Sequence, residues 1–362
     1  MSAEPDHAEL VEELLAGKHR ALARTITKIE NRAPGYRSLV SELHKHTGDA
    51  EVIGITGSPG AGKSTLVDKM ANFYRERGET VGVIAVDPSS PFTGGAVLGD
   101  RIRMASNVGD MDVFFRSMSA RGTLGGLSTA TTDAVKALDA FGKDKIIIET
   151  VGAGQNEIDI VKSADTVTVL VPPGSGDDVQ MLKAGILEIA DVFVVNKADL
   201  AGADRTVQEL REMVHMQQDN TASLATGHHG AGATSDHGAD TDAETGDDGE
   251  SEADAADSWE PQIVETVAKD GEGVEELVGT LADHADYLDA SGLLEEKARM
   301  RYAEEIRNLL RDDVGGLLEG EIERHGGMGE LVEGVRERET DPYSVADEVI
   351  GPIEDCLDEL RD

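Results

Sequence analysis

The sequence predicts an α/β fold: a doubly wound, mostly parallel sheet, with N-terminal helices before it and a C-terminal helical region after it. Two observations carry this prediction. Between residues 49 and 290, short apolar runs alternate with stretches of helical periodicity, as in sheets whose strands are joined by crossover helices. Residues 1–48 and 291–362 show helical periodicity alone. We therefore divide the chain at these points into three regions.

Six apolar runs are predicted as strands because they are short and apolar on both faces, as buried parallel strands are. They are Val52–Thr56, Val81–Val86, Lys145–Glu149, Thr166–Val171, Val192–Asn196 and Ile263–Val267. The helices predicted between them are Thr65–Arg77, Ser128–Ala140, Asn156–Ser163, Val179–Ile189, Asp204–Met216 and Val274–Tyr287. The regular alternation predicts that the strand ends share one edge of the sheet.

The flanking regions carry apolar stripes at helical spacing. Leu10, Val11, Leu14 and Leu15 form one stripe near the N-terminus, and Gly17 can end that helix. The C-terminal helices are long relative to any core that they could form alone, so docking on the main domain or pairing between subunits would bury them. Cys356 fits the last apolar stripe and is interpreted as a packing residue.

The composition excludes several classes of protein. The net charge of −39 makes nucleic acid an improbable partner, because phosphate contacts need an excess of Lys and Arg. Acid is spread along the whole chain, which favours a solvated surface of the kind that halophiles use. A single cysteine excludes an intrachain disulfide. With neither a signal pattern nor an apolar run of about 20 residues, we expect a soluble, cytoplasmic protein without membrane contact.

Residues 217–258 are rich in Gly, Ala, Thr, Asp and Glu, and no Lys or Arg occurs between Glu212 and Ala268. Such a composition buries too little apolar surface to fold. We predict a disordered acidic insertion within the α/β domain.

A complete P-loop follows the first predicted strand and leads into a predicted helix. In such a loop the glycines let backbone N–H groups surround phosphates, and the helix N-terminus adds partial positive charge. The lysine would reach the β- and γ-phosphates, and the serine hydroxyl would contact Mg²⁺. The predicted nucleotide-binding residues are Gly57, Ser58, Pro59, Gly60, Ala61, Gly62, Lys63 and Ser64.

A second motif, Asn196-Lys197-Ala198-Asp199, ends the fifth predicted strand. The Asp199 carboxylate can accept hydrogen bonds from N1–H and the exocyclic amino group of guanine, whereas adenine would leave a buried charge against an unpaired ring nitrogen. Asn196 would tie this loop to the P-loop, and the stem of Lys197 would cover the base. The motif therefore predicts GTP and GDP as the ligands.

Acidic residues at predicted strand ends supply the candidate metal site. Asp87 ends the second strand and Glu149 the third, so both should lie at the edge that carries Lys63 and Ser64. Asp100 is added without the support of a strand end. We predict Ser64, Asp87, Asp100 and Glu149 as Mg²⁺ residues, directly or through water, and Lys63, Asp87 and Glu149 as catalytic.

The nearby Gly152 has a backbone N–H that could sense the γ-phosphate. The sequence does not identify a single residue that would position the attacking water. The candidates are Gln155, Gln180 and Lys183. Slow intrinsic turnover that a partner accelerates would be the natural consequence.

Together these motifs resemble the methylmalonyl-CoA mutase-associated GTPases, the MeaB/ArgK family of P-loop GTPases. The likeness rests on long strings and covers nearly the whole chain except the acidic insertion. The strings are ALARTITKIE (21–30), ITGSPGAGKSTL (55–66), VDPSSPFTGGAVLGDRIRM (86–104), RGTLGGL (121–127), ETVGAGQNEID (149–159), AGILEIADVFVVNKAD (184–199) and DPYSVADE (341–348).

The resemblance implies a homodimeric G protein that gates adenosylcobalamin loading and protects or reactivates methylmalonyl-CoA mutase. It extends the phosphate loop to Thr65, places a backbone contact to guanine at Ala268, and assigns a partner-responsive loop to residues 176–183. It also implies that the C-terminal helices form a dimerisation arm. This chain departs from the family in having Val267-Ala268 where Ser-Ala is usual.

Two other functions fit the same architecture. A metallochaperone GTPase would need a Cys/His cluster near the P-loop, and Cys356 is the sole cysteine and far from it in sequence. A kinase acting on a transport (LAO/AO) binding protein would need an acceptor site, and guanine selectivity argues against ordinary use of ATP.

Overall fold

The computed structural model describes residues 7–87, 110, 112–119, 126–150, 163–174, 189–226 and 258–359. The chain forms two compact units. The first comprises Met1–Ala120 and Ala130–Glu295, and the second comprises Arg121–Thr129 and Glu296–Asp362. The N-terminal helices therefore belong to the same unit as the sheet.

Three amphipathic helices begin the first unit: α1 (His7–Leu15), α2 (His19–Glu30) and α3 (Tyr36–Leu43). A short 3-10 turn, His44–His46, follows. Most of the apolar positions are buried: Leu10, Leu14, Leu22, Ile26 and Leu39 are each 0% exposed. Leu15, predicted as part of the first stripe, is 39% exposed and does not belong to it. The predicted helical N-terminus is thus present, and its periodicity reflects burial.

The described strands form one seven-stranded sheet in the order β3-β2-β4-β1-β5-β6-β7. All six pairings are parallel, so every carboxyl end lies at the same edge. The strands are β1 (Glu51–Gly57), β2 (Val81–Asp87), β3 (Val113–Ser119), β4 (Lys145–Thr150), β5 (Thr166–Val171), β6 (Val192–Asn196) and β7 (Gln262–Thr266).

Helices α4 (Lys63–Glu76), α5 (Gly126–Ala140), α6 (Ala203–Thr226) and α7 (Val274–Ala290) complete the α/β layers. Alternate residues of β5 face two different cores. Leu170 packs with residues of α4 and α7, whereas Val169 packs with residues of α6. Both faces of the sheet are therefore covered, which confirms the predicted doubly wound arrangement.

The sequence prediction missed β3. This strand pairs with β2 at the end of the sheet, and its polar Arg116 and Ser117 break the apolar pattern expected of a fully buried strand. Arg116 pairs with Glu30 of α2. The polar positions are tolerated because an edge strand has only one neighbour.

Helix α6 corrects the predicted limits of the acidic insertion. It continues to Thr226, ten residues into the segment for which no structure was predicted. Its last turns contain the helix-favouring Gln217, Gln218, Ala222 and Leu224, and no glycine interrupts them before Gly227. Residues 227–257, and most of the predicted helices 156–163 and 179–189, lie outside the described residues.

The helices of the C-terminal region are α8 (Leu293–Arg324), α9 (Met328–Arg336) and α10 (Pro342–Glu359). The start of α10 is fixed by Asp341, whose Oδ1 accepts from the backbone N–H groups of Tyr343 and Ser344 at 2.9 and 3.2 Å, as a helix N-cap does. Proline follows at the first helical position.

Helix α8 leaves large apolar side chains in solvent. Ile306, Leu310, Val314 and Leu317 are 51–62% exposed, and their spacing of three or four residues puts them on one stripe. We call this set the α8 stripe. Across the described residues, no helix is both long enough and apolar enough to cross a membrane.

Candidate functional site

The P-loop connects β1 to α4, and two of its glycines are required by close contacts. Gly57 has a φ of +131°, and a Cβ there would lie 2.1 Å from the carbonyl oxygen of Leu170. Gly62 has a φ of +98°, and a Cβ there would lie 2.4 Å from Nδ2 of Asn196. Any side chain at either position would both strain the backbone and collide with a neighbouring strand or loop.

The first turn of α4 presents an anion-binding terminus at this loop. Gly62 occupies the N-cap and contributes no side-chain hydrogen bond, so the first N–H groups of α4 are not capped by its side chain. Lys63 is only 5% exposed. Its ammonium group donates to the carbonyl oxygens of Gly57 at 2.7 Å and Ser58 at 3.0 Å, which holds the positive charge against the loop.

Ser64 and Glu149 meet beside the P-loop. The Ser64 hydroxyl donates to Oε1 of Glu149 at 2.5 Å, although 85 residues separate the two in sequence. The contact forms because β1 and β4 are adjacent, so that the first turn of α4, which the P-loop joins to β1, lies at the end of β4. Behind them, the buried Thr150 hydroxyl donates to Thr56 at 2.9 Å.

This pair has the donor chemistry that a magnesium site needs. Mg²⁺ prefers oxygen ligands, commonly one or two protein groups with the remaining positions filled by water and phosphate. Ser64 supplies a hydroxyl and Glu149 a carboxylate that is 7% exposed. Asp87 ends β2, which neighbours β4, so its backbone reaches the same edge. The residues present therefore fit the ion.

Asn196 links the P-loop to the loop that follows β7. Its Nδ2 donates to the carbonyl oxygen of Ala61 at 2.7 Å. Its Oδ1 accepts from the hydroxyl of Thr266 at 3.1 Å and from the backbone N–H of Ala268 at 3.0 Å. The side chain is 2% exposed, so all three hydrogen bonds are sheltered from water. The tie to the P-loop that the sequence predicted is present.

The two lysines and the aspartate of this region lie around one shallow pocket. Lys197 has a φ of +64°, and its ammonium group donates to the carbonyl oxygen of Gly60 at 2.7 Å. Asp199 accepts from Lys269 at 2.6 Å. The pocket, about 160 Å³, is lined by Gly62, Thr65, Asn196, Lys197, Asp199, Leu200, Val267, Ala268 and Lys269.

The structure adds one hydrogen bond and one residue to the predicted base-binding group. The Ala268 N–H, predicted to contact guanine, donates to Oδ1 of Asn196 at 3.0 Å, because the loop after β7 folds against that side chain. Lys269 was missed. Its position directly after Ala268 was the available signal, but a lone exposed lysine is usually only a solvated side chain.

The Asp199–Lys269 hydrogen bond shifts both groups toward their charged forms. The bond to Lys269 lowers the pKa of the Asp199 carboxyl, and the bond to Asp199 raises the pKa of the Lys269 ammonium. Both side chains are accessible to water, so the pair is screened rather than sealed in the protein.

The other predicted site residues lie outside this description. Asp100, Gly152, Gln155, Gln180 and Lys183 are not among the described residues, and only the backbone of Asp87 is. Their predicted roles remain predictions.

The chain was compared with known proteins and with solved structures. Residues 22–322 match the family described as methylmalonyl Co-A mutase-associated GTPase MeaB. The chain is 45% identical over 345 residues to a putative GTPase of Pyrococcus abyssi, covering 95% of this chain and 96% of that protein. It is 31% identical over 311 residues to the GTPase ArgK of Escherichia coli, covering 85% and 84% of the two chains.

Among solved structures, one described as LAO/AO transport system kinase superposes with a TM-score of 0.61 at 23% identity, covering 98% of this chain and 99% of that one. At this identity the likeness shows the fold alone. The family match is consistent with the parallel sheet and the P-loop described above. The chain therefore belongs to the methylmalonyl-CoA mutase-associated GTPase (MeaB) family and is a P-loop GTPase.

Proposed function

We propose that this GTPase gates adenosylcobalamin loading into methylmalonyl-CoA mutase and protects or reactivates that enzyme. The observation that carries the proposal is the family match across residues 22–322, whose description names an association with the mutase. The site is built to bind a nucleotide and to connect its phosphate and base regions through Asn196, which suits a protein that reports its nucleotide state to a partner.

The phosphates of GTP would bind at residues 57–65. The N–H groups at the start of α4 and the Lys63 ammonium would balance their charge. Lys63 would exchange its present bonds to the Gly57 and Ser58 carbonyls for phosphate oxygens. This local positive charge matters in a chain whose net charge is −39, because the overall field repels an anionic nucleotide.

Ser64, Glu149, Asp87 and Asp100 would hold Mg²⁺. When bound, the ion would neutralise charge that develops on the phosphates. Ser64 and Glu149 already lie within hydrogen-bonding distance, so little rearrangement is needed to present both oxygens. Gly152 would sense the γ-phosphate through its backbone N–H.

Asp199 would read guanine, Lys197 would cover the base, and Ala268 would border it. In this arrangement the role of Asn196 is to hold the two loops together, in addition to any contact with the base. Its hydrogen bonds to Ala61 and Ala268 join the phosphate loop to the loop behind the base.

We also propose that the protein is a cytoplasmic homodimer. The α8 stripe supports a dimer, since four large apolar side chains on one face of a helix are costly in water and a second copy would cover them. The family resemblance points to the same region.

A turnover assay tests the proposal. GTP hydrolysis is measured with and without the methylmalonyl-CoA mutase of the same organism, and complex formation is followed by size exclusion with GDP or a non-hydrolysable GTP analogue. We expect the mutase to accelerate hydrolysis and the complex to depend on the nucleotide. The Lys63→Ala variant is the control that lacks tight nucleotide binding. The absence of both acceleration and complex formation contradicts the proposal.

A further inference from the structure

The Asp199 carboxylate is held by a residue outside both the P-loop and the Asn196–Asp199 motif, next to the predicted base contact at Ala268. Lys269 donates to Oδ2 of Asp199 at 2.6 Å. Among the described residues it is the one side chain that hydrogen-bonds this carboxylate. Val267 lies two residues before Lys269 and is 7% exposed. Its side chain has no hydroxyl that could hydrogen-bond Asp199. The terminal torsion of an aspartate is broad, so a partner on one oxygen narrows the orientations of a carboxylate that must accept two hydrogen bonds in one plane.

The backbone that carries Lys269 is tightly fixed. Val267 N–H donates to the Glu272 carbonyl at 3.0 Å, and Gly271 N–H donates to the Val267 carbonyl at 3.1 Å. The turn closes at Gly273, where a Cβ would lie 2.1 Å from the carbonyl oxygen of Glu265. Asn196 holds the same loop through Ala268 N–H. The flexible lysine therefore starts from a fixed point beside the Asp199 loop.

The hydrogen-bonding capacity of Asp199 permits both partners at once. A carboxylate has about four acceptor positions. Guanine would use two of them, through N1–H and the amino group, and Lys269 uses one on Oδ2. Lys269 thus need not leave when the base arrives, and its charge strengthens the local positive field near the nucleotide.

We propose that Lys269 is a positioning residue for guanine recognition: it orients the Asp199 carboxylate so that this side chain can accept hydrogen bonds from the base. This inference rests on the proposed role of Asp199. It assigns to Lys269 a part in nucleotide specificity that is distinct from binding the phosphates.

The direction of the pH effect follows from the charges around Asp199. Lys269 and Lys197 both lower the pKa of this carboxyl, while Asp270 lies 3.7 Å from the Lys269 ammonium and competes for it. Guanine needs the ionised carboxylate, so GTP affinity falls as pH drops through the pKa of Asp199. Removal of Lys269 raises that pKa, and the loss of affinity should begin at a higher pH.

The test measures GTP affinity by titration calorimetry across acidic and neutral pH for the wild type and for Lys269→Met, which keeps the stem but removes the charge. We expect affinity at neutral pH to fall about two- to five-fold, the range for an exposed ion pair, and the acid loss to begin at a higher pH. Lys269→Arg should restore both. Nucleotide phosphates titrate alike with both proteins, so the ratio of the affinities isolates the protein group.

Two controls separate the possible failures. Lys18→Met removes a comparable exposed pair, Lys18–Glu13 at 2.9 Å, and should leave GTP affinity unchanged. Asp199→Asn should lower the preference for GTP over xanthosine triphosphate. If it does so while Lys269→Met binds GTP equally or more tightly with the wild-type pH profile, the positioning role is wrong. If Asp199→Asn changes nothing, the proposed base reading itself is wrong.

Discussion

Replacement of Asn196 by alanine tests how the two nucleotide loops are held together. The substitution removes three hydrogen bonds, those to Ala61, Thr266 and Ala268, at 2.7, 3.1 and 3.0 Å. The Thr266 hydroxyl can rotate toward another acceptor. The carbonyl of Ala61 and the N–H of Ala268 cannot, and both residues are buried, at 0% and 2% exposure.

The cost follows from these two backbone groups. A buried polar group that loses its partner costs about 1–3 kcal/mol, so Asn196→Ala should destabilise the first unit by about 2–6 kcal/mol. That is a large part of the about 5–15 kcal/mol typical of a folded domain. The same loss should loosen the P-loop and weaken GTP binding.

Urea unfolding provides the assay. Trp259 is the sole tryptophan of the chain, and its Nε1–H donates to the carbonyl oxygen of Asp191 at 2.8 Å, so its fluorescence reports on the first unit. Asn31→Ala is the matched control, because that side chain makes one exposed hydrogen bond, to Thr27 at 2.9 Å, and should cost under about 1 kcal/mol. An Asn196→Ala variant that unfolds within about 0.5 kcal/mol of the wild type would refute the reasoning.

Three further changes have defined outcomes. Gly62→Ala should lower the melting temperature and weaken GTP binding, because its Cβ meets Asn196 Nδ2 at 2.4 Å at a φ of +98°; normal values of both would show that the loop can relax. Lys63→Ala should abolish tight nucleotide binding in a titration while leaving the circular dichroism spectrum intact, and retained affinity would contradict its role. Leu310→Lys, which places a charge in the α8 stripe, should shift the sedimentation coefficient from dimer to monomer; an unchanged dimer, or a wild-type monomer, would count against the proposed interface.

Much of the fold follows from local patterns that the sequence displays directly. All six predicted strands are present within about two residues of their predicted limits, because a strand buried on both faces must be apolar at every position. The P-loop was equally readable, since a phosphate cradle requires glycine where a side chain would collide. β3 escaped because polar residues at the end of a sheet leave no such pattern.

Contacts between distant segments explain what the sequence could not supply. The sequence placed Ser64 and Glu149 at strand ends, but their hydrogen bond depends on β4 lying next to β1. This order of strands in the sheet differs from their order along the chain. In the same way, the sequence could not single out Lys269, because its proposed role depends on a contact with Asp199, 70 residues away.

The sequence by itself determined the fold class, the phosphate loop and the family, because each depends on residues that are neighbours along the chain. Only the tertiary structure decided which side chains share the site. Strand order and loop packing, both set by burial across the whole sheet, bring Asn196 to the P-loop, turn the Ala268 N–H toward Asn196 and place Lys269 on the carboxylate proposed to read guanine.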